Sequence, residues 1–432
     1  MTSGFSSQLE QSIAHSPVPE VTARRLEQMQ DEPALWQTVE ALSAEQQAEL
    51  VEVVGVSNFL HRFICSHGDC LADFRQSAAT PHSLNGEQDM AGLRRYKYRE
   101  LLRLTRLDLS AGEADYPQVL DGLTRLAEQI LGRGLGLIAS DYGEPPLCVF
   151  GLGKLGAAEL NFSSDIDLIF VTQNCEDFAA DVDDYQKHVI DIIRRLSRAL
   201  EEQTADGFLY RVDLKLRPWG RSGPLAMSVD ETEQYYEASS EAWERFAWLR
   251  ARVVAGSEDL GADLLGRLQP FIFSRSLAAS DLDRFLQIKS DMARMRRRSG
   301  SWNVKVGAGG IRDIEFFVQM LQMVNGGRHE ALRTTNTLQS MQALIDLGLL
   351  DADEAAAIRR SYLFLRRLEN RLQMIDERQT HDLPDDRQQR LMLARSLGFD
   401  DSNGEALAAF EDQLLEHQTL ARSCFERILP EQ

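Results

Sequence analysis

Cysteine, basic charge and long apolar runs are all scarce in this chain, and each shortage closes off a class of protein. Five cysteines (65, 70, 148, 175 and 424) are spread through 432 residues. An odd, scattered set suits reduced cytoplasmic thiols rather than a disulfide framework. Lys plus Arg number 47 against 67 Asp plus Glu, a formal net charge of −20. So acidic a chain has no overall attraction for nucleic acid or an anionic membrane; an anionic ligand would need local basic groups or metal ions. No run approaches the ~20 apolar residues of a membrane span, and Met1 to Thr22 is polar, without the apolar segment of an export signal. The expectation is a cytoplasmic protein with no nucleic-acid and no membrane partner.

What remains is an ordinary globular composition, 43% hydrophobic and 26% charged, with length for roughly two to four domains. Amphipathic periodicity predicts helices at Val21–Gln30, Ser43–Val54 and Arg94–Asp108, with a polar loop at Thr80–Gly92. Gln118–Ala139 reads as a helix started by Pro117. The break Gly143-Glu-Pro-Pro146 then precedes a buried strand, Leu147–Phe150. An acidic loop, Asn174–Asp184, leads to a helix with Val189, Ile192, Ile193, Leu196 and Leu200 on one face. Phe208–Arg217 alternates as a strand and ends at Pro218, and from about Asp230 onward the pattern reads as helix, broken at Ser299–Gly310, Asn325–Asn336, His381–Asp386 and Phe399–Gly404. No internal repeat is visible. The fold class expected is mainly α, with a small α/β core sheet between helical domains: residues 1–115 helical, 116–256 the sheet-bearing domain, 257–432 a helical bundle.

The most informative segment is Ser163-Ser-Asp-Ile-Asp-Leu-Ile-Phe-Val171. Leu-Ile-Phe-Val is apolar and strand-forming, so Asp165 and Asp167 open a buried strand. Residues two apart on a strand point the same way, which aims both carboxylates into one space. Like charges that close are unfavourable unless cations intervene. Hard oxygen ligands on a rigid strand suit magnesium or manganese, and the pairing suggests phosphoryl or nucleotidyl chemistry.

Ahead of it, Gly151-x-Gly153-x-x-Gly156 superficially matches a dinucleotide-binding loop. The spacing rejects that reading, because only eight residues separate Gly156 from Asp165, too few for the crossover helix. Either the glycines let backbone N–H groups approach a phosphate, with Lys154 a nearby cation, or they form a plain tight turn. On the later strand, Asp213 would complete a three-carboxylate cage, with Lys215 and Arg217 supplying charge for phosphate oxygens. The alternative is that Arg211, Asp213, Lys215 and Arg217 form a solvated polar face.

Three further constellations carry less. His61, Cys65, His67 and Cys70 crowd together but match no zinc spacing. Val304–Arg312 is a glycine-bearing loop leading into an almost wholly apolar helix, Asp313–Val324, whose start could attract an anion or serve domain packing. In Trp243–Arg252, Arg245, Arg250 and Arg252 could hold phosphate, with ion pairing to nearby acids the blander reading. Arg294–Arg298 reads as a solvated cluster.

A glycine loop, Ser-Asp-Ile-Asp and a lone later Asp follow the order of the nucleotidyltransferase superfamily related to DNA polymerase beta, except that this loop has Gly153-Lys154 where Gly-Ser or Gly-Gly is usual. More specifically, the chain resembles the bifunctional glutamine synthetase adenylyltransferase/adenylyl-removing enzymes. The resemblance rests on Gly151–Phe170, Tyr210–Leu225, Trp243-Glu-Arg-Phe-Ala247, Gly309–Phe316, Leu365–Gln373 and Thr380–Pro384, within about Leu93 to Leu397. Members of that family carry two nucleotidyltransferase domains. This chain has one, and Asn161-Phe-Ser-Ser-Asp165 with Tyr210-Arg-Val-Asp213 is similar to the N-terminal, adenylyl-removing copy.

The resemblance implies phosphorolysis: phosphate removes AMP from a tyrosine of glutamine synthetase and ADP leaves, stimulated by the uridylylated PII signal protein. It further implies two divalent ions, Mg2+ or Mn2+, on Asp165, Asp167 and Asp213. Gly153, Lys154, Gly156 and Ser164 would cradle phosphate oxygens, beside Lys215 and Arg217. Adenylyl transfer from ATP, or a docking domain without turnover, are the alternatives.

Overall fold

The computed structural model describes residues 5–427 apart from 85, 87, 141–146, 175–181 and 274–300. The expected Gly143–Pro146 break and the Arg294–Arg298 cluster therefore lie outside the described residues, as does part of the acidic loop.

Helices come first: Ser7–His15, Pro19–Gln30, Pro33–Glu40, Ala44–Val56 and Asn58–Ser66, then the long pair Met90–Ser110 and Tyr116–Ala139. Local chemistry sets their starts. Ser43 and Gln46 form a reciprocal capping box, satisfying two amides that the helix start leaves free. Pro117 stands in the first turn of its helix, where a missing N–H costs nothing.

Five short strands make the sheet: β1 (Leu147–Gly151), β2 (Asp165–Thr172), β3 (Arg211–Asp213), β4 (Ala226–Ser228) and β5 (Arg252–Gly256). β1 is antiparallel to both β2 and β5, while β3 and β4 run parallel to successive portions of β2. The central position of β1 and β2 explains their continuous apolar sequence. Ile166, Leu168 and Phe170 enter a core formed with helices from both ends of the chain. Ile169 and Val171 join Phe150, Trp248, Phe316 and Met320 in a second cluster on the opposite face.

Three expectations need correction. The alternating strand expected over 208–217 is paired only at Arg211–Asp213, because Arg217 turns back to donate to the carbonyls of Leu214 (2.6 Å), Arg221 (3.1 Å) and Pro224 (3.0 Å). The region after Asp230 is not all helix: Arg252–Gly256 is an edge strand. Gly256 allows it, having φ +80° and lying so close to the Leu147 carbonyl that a Cβ would fall 2.0 Å from that oxygen. The helix read through Arg252 ends at Trp248.

The second half returns to helix: Glu258–Ile272, Ile311–Asn325, Thr337–Asp346, Ala352–Met374, Arg387–Ser396 and Ala406–Glu426. Ala352–Met374 matters most for the site. Its Arg366, Glu369, Asn370, Arg371 and Gln373 are all fully buried, and polar groups so placed must find partners. Arg366, Asn370 and Gln373 find them on the segment leading into β2, Glu369 on Lys154, and Arg371 on Asp108 and the Ser396 carbonyl.

Candidate active site

Strand periodicity puts Asp165, Asp167, Ile169 and Val171 on one face of β2. The first two lie beyond the apolar cluster that the last two enter. β3 pairs in parallel so that Asp213 stands opposite Asp167 and Arg211 opposite Asp165. All three aspartates therefore share one edge of one sheet face; spacing implied this for Asp165 and Asp167, and the pairing of β3 brings Asp213 to them.

The electrostatics agree. Burial, reinforced by the charges of Asp165 and Asp213, pushes the Asp167 carboxyl up to about 6, and Lys305 and Arg312 partly offset that rise. Those two cations arrive because Phe316 and Met320 anchor the Ile311–Asn325 helix in the apolar cluster of the same face. The Val304–Arg312 loop thus lies at the acids. It is held by Val304 N donating to the His381 carbonyl (2.7 Å) and Ile311 N donating to that of Val304 (2.9 Å).

The glycine turn closes the other side. Gly153 has φ +56°, and a Cβ there would sit 2.6 Å from Asp167 Oδ2, so the carboxylate rests against bare backbone. Leu152 N donates to the Asp167 carbonyl at 2.9 Å. Gly156 serves packing: a Cβ would lie 1.8 Å from the Arg250 carbonyl oxygen. Lys154 is not free for an anion, because its Nζ reaches both oxygens of the buried Glu369 at 2.6 Å. Burial works against ionisation of Glu369, yet Lys154, His381 (2.8 Å) and Arg366 (3.4 Å) hold its carboxyl well below the usual range. Ser164 is buried, its Oγ accepting from Asn161 N at 3.2 Å.

On β3, the Lys215 backbone N–H donates to Asp213 Oδ1 at 2.8 Å, and its ammonium pairs with the other oxygen. Arg217 spends its donors on the backbone carbonyls of its own loop. Among the described residues no three His, Cys, Asp or Glu side chains already converge as a metal cluster. The donor set still fits a hard divalent cation: carboxylate oxygens alone, crowded enough to disfavour ionisation of Asp167. Asp213 would join it by releasing Lys215.

The residues that orient this edge include Asn370 and Gln373 of the Leu365–Gln373 run, which carried the resemblance but was given no role from sequence. Asn370 Oδ1 accepts from Phe162 N (2.8 Å) and Gln373 Oε1 from Ser163 N (2.9 Å), while Ser163 Oγ donates to the Glu377 carbonyl (2.8 Å). Glu159, at the end of the glycine turn, accepts from Thr337 N (2.8 Å) and Tyr362 OH (2.8 Å). By composition a run such as Arg-Arg-Leu-Glu-Asn-Arg resembles a solvated helix face; besides the family resemblance, the signal for burial was its position inside a long helix with Leu365, Leu368 and Leu372.

The remaining constellations resolve plainly. Arg250 pairs with Glu315 (3.1 Å) and donates to Thr337 (2.7 Å), the ion-pairing alternative. His61 Nε2 lies 3.1 Å from the Arg25 carbonyl and 3.5 Å from Cys65 Sγ, while Cys70 is buried. A cavity of about 550 Å³ lined by Trp219, Tyr235 and Thr172 lies at the opposite end of β2 from the acids.

A mainly helical chain around a small mixed sheet with acids at its edge has the architecture of a nucleotidyltransferase core flanked by helices. Residues 47–267, just over half of the chain, match the glutamate-ammonia ligase adenylyltransferase family, and residues 284–429 match the GlnD PII-uridylyltransferase model. Relatives named bifunctional glutamine synthetase adenylyltransferase/adenylyl-removing enzyme include that of Stenotrophomonas maltophilia (strain K279a), 43% identical over 337 residues, covering 75% of this chain and 36% of the relative. Those of Xanthomonas axonopodis pv. citri (strain 306; 41%, covering 72% and 34%) and Thioalkalivibrio sulfidiphilus (strain HL-EbGR7; 38%, covering 78% and 36%) are similar. The chain belongs to the glutamate-ammonia ligase adenylyltransferase family, and spans about a third of the length of these relatives. No helix among the described residues is long and apolar enough to cross a membrane.

Proposed function

We propose that this chain removes AMP from an adenylylated tyrosine of glutamine synthetase by phosphorolysis. The observation that carries the reading is the meeting of Asp165, Asp167 and Asp213 on one sheet edge, within a family whose named members act on that synthetase. The wording Asn161-Phe-Ser-Ser-Asp165 and Tyr210-Arg-Val-Asp213 favours removal over transfer.

Phosphate oxygen would attack the α-phosphorus of the tyrosyl-AMP group. A new P–O bond forms, the P–O bond to tyrosine breaks, ADP leaves and the tyrosyl oxygen takes a proton. That oxygen has an intrinsic pKa of about 10, so its developing charge needs stabilising. Asp165, Asp167 and Asp213 would hold Mg2+ or Mn2+, which when bound supplies charge neutralisation for the phosphoryl oxygens. Gly153 keeps Asp167 in place and leaves the backbone open on that side. Lys305 and Arg312 contribute the positive field that draws an anion to an otherwise acidic molecule, and Ser164 remains a candidate phosphate contact. Uridylylated PII is the expected stimulator.

Adenylyl transfer from ATP would use the same acids. Two assays separate the directions: labelled AMP released from adenylylated synthetase with phosphate and Mg2+, and labelled AMP incorporated into unmodified synthetase from ATP. Release without incorporation is expected; incorporation without release would reverse the assignment.

A further inference from the structure

A second cavity lies far along the chain from the acids, between the helices Ala352–Met374 and Ala406–Glu426. It encloses about 390 Å³, within the usual span of small-ligand sites. Rings from Phe364, Phe399, Tyr116 and His417 form part of its wall, beside Leu363, Leu397 and Gln413. Phe364 lies 4.4 Å from His417, centroid to centroid. Burial, helped by the charge of Arg360, drives His417 down to about 4. It is therefore a neutral ring at ordinary pH, with Nδ1 2.9 Å from Ser361 Oγ.

Arg367 also lines this cavity. Its Nε is buried and has no hydrogen-bond partner, a costly condition for a charged donor. The nearby carboxylate of Asp108 is already engaged: Arg371 pairs with one oxygen, and Asn370 Nδ2 donates to the other at 2.8 Å. Other acids sit only at the mouth. Glu113 and Asp400 are exposed, and Asp400 accepts from the backbone and hydroxyl of Ser402 (3.0 and 2.8 Å). Among the described residues, Arg367 is thus the one cation lining a partly aromatic cavity with an acidic rim, and its Nε has no partner.

We propose that this cavity binds a small organic monocarboxylate with a flat or apolar body, its carboxylate paired with Arg367 and its body stacked among Phe364, Phe399 and His417. A planar guanidinium matches a carboxylate bidentately. The charge count sets the class. A phosphate dianion would leave one charge uncompensated by the single guanidinium and would meet Glu113 and Asp400 on entry. A neutral aromatic amide would leave the guanidinium unanswered.

Titration calorimetry of the whole chain with benzoate, benzamide and inorganic phosphate as probes tests this. Benzoate should bind, with benzamide and phosphate each at least tenfold weaker, and Arg367→Met should lose benzoate binding at least tenfold while keeping its circular dichroism spectrum. Failure of the parent chain to bind benzoate, or equal affinity for benzoate and benzamide, would overturn the proposal, and either can be read without any variant. Unchanged benzoate affinity in a folded Arg367→Met protein would overturn it as well. Because the readout is binding alone, a negative result leaves the phosphorolysis reading standing.

Discussion

Replacing Gly153 by alanine should cripple the site while leaving the chain folded. Two costs are separable. The first is backbone: at φ +56° an L side chain costs about 1–2 kcal/mol. The second is local: the new Cβ would fall 2.6 Å from Asp167 Oδ2, closer than any real methyl contact, so the carboxylate must move. A shift approaching 1 Å in a group that orders the reacting atoms can reduce rate by about 100-fold. Gly348→Ala is the control, with φ +68° and nothing within 4 Å of its Cβ position. Urea melts should show a loss of about 1–2 kcal/mol for Gly348→Ala and at least that much for Gly153→Ala. In the AMP-release assay Gly348→Ala should match the parent, and Gly153→Ala should be at least tenfold slower. Parental activity in Gly153→Ala, confirmed folded, would refute the idea that this glycine holds Asp167 in place.

Other predictions probe the scaffold. Asn370→Leu removes the acceptor for Phe162 N and the donor to Asp108, leaving two buried groups unsatisfied; a loss of about 2–5 kcal/mol in urea melts is expected, and less than 1 kcal/mol would contradict the geometry. His82 is raised to about 9, by its contact to Asp73 first and then Glu100. A histidine raised on folding stabilises below its unfolded value and loses that contribution as pH climbs through the folded one. Stability should therefore fall between pH ~6.5 and ~9 by up to about 3 kcal/mol, and the His82→Gln melt should be flatter across that window. Of Cys65, Cys70, Cys148 and Cys424, only Cys65 is exposed, so brief native alkylation followed by peptide mass analysis should modify it far ahead of the other three.

Much of the site could be read from residue order. Asp165 and Asp167 announce a shared direction through strand periodicity, and Asp213 adds a third acid on a neighbouring run. The cations were harder to place. Lys154, Lys215 and Arg217 look alike in sequence, yet one satisfies Glu369, one leans on Asp213 and one holds a loop together. Lys305 and Arg312 reach Asp167 only because a distant helix docks through Phe316 and Met320. Pairing across such separations follows from tertiary packing, which local periodicity does not encode. The same limit hid β5, whose Val253-Val254 is an ordinary apolar pair until β1 lies beside it.

The most direct measurement is anomalous diffraction from a crystal soaked with manganese and ADP. Ions bound by Asp165, Asp167 and Asp213, with the Lys215 ammonium displaced from Asp213, are the expected result. Manganese elsewhere, or Asp213 still paired to Lys215 with nucleotide bound away from the glycine turn, would contradict the account.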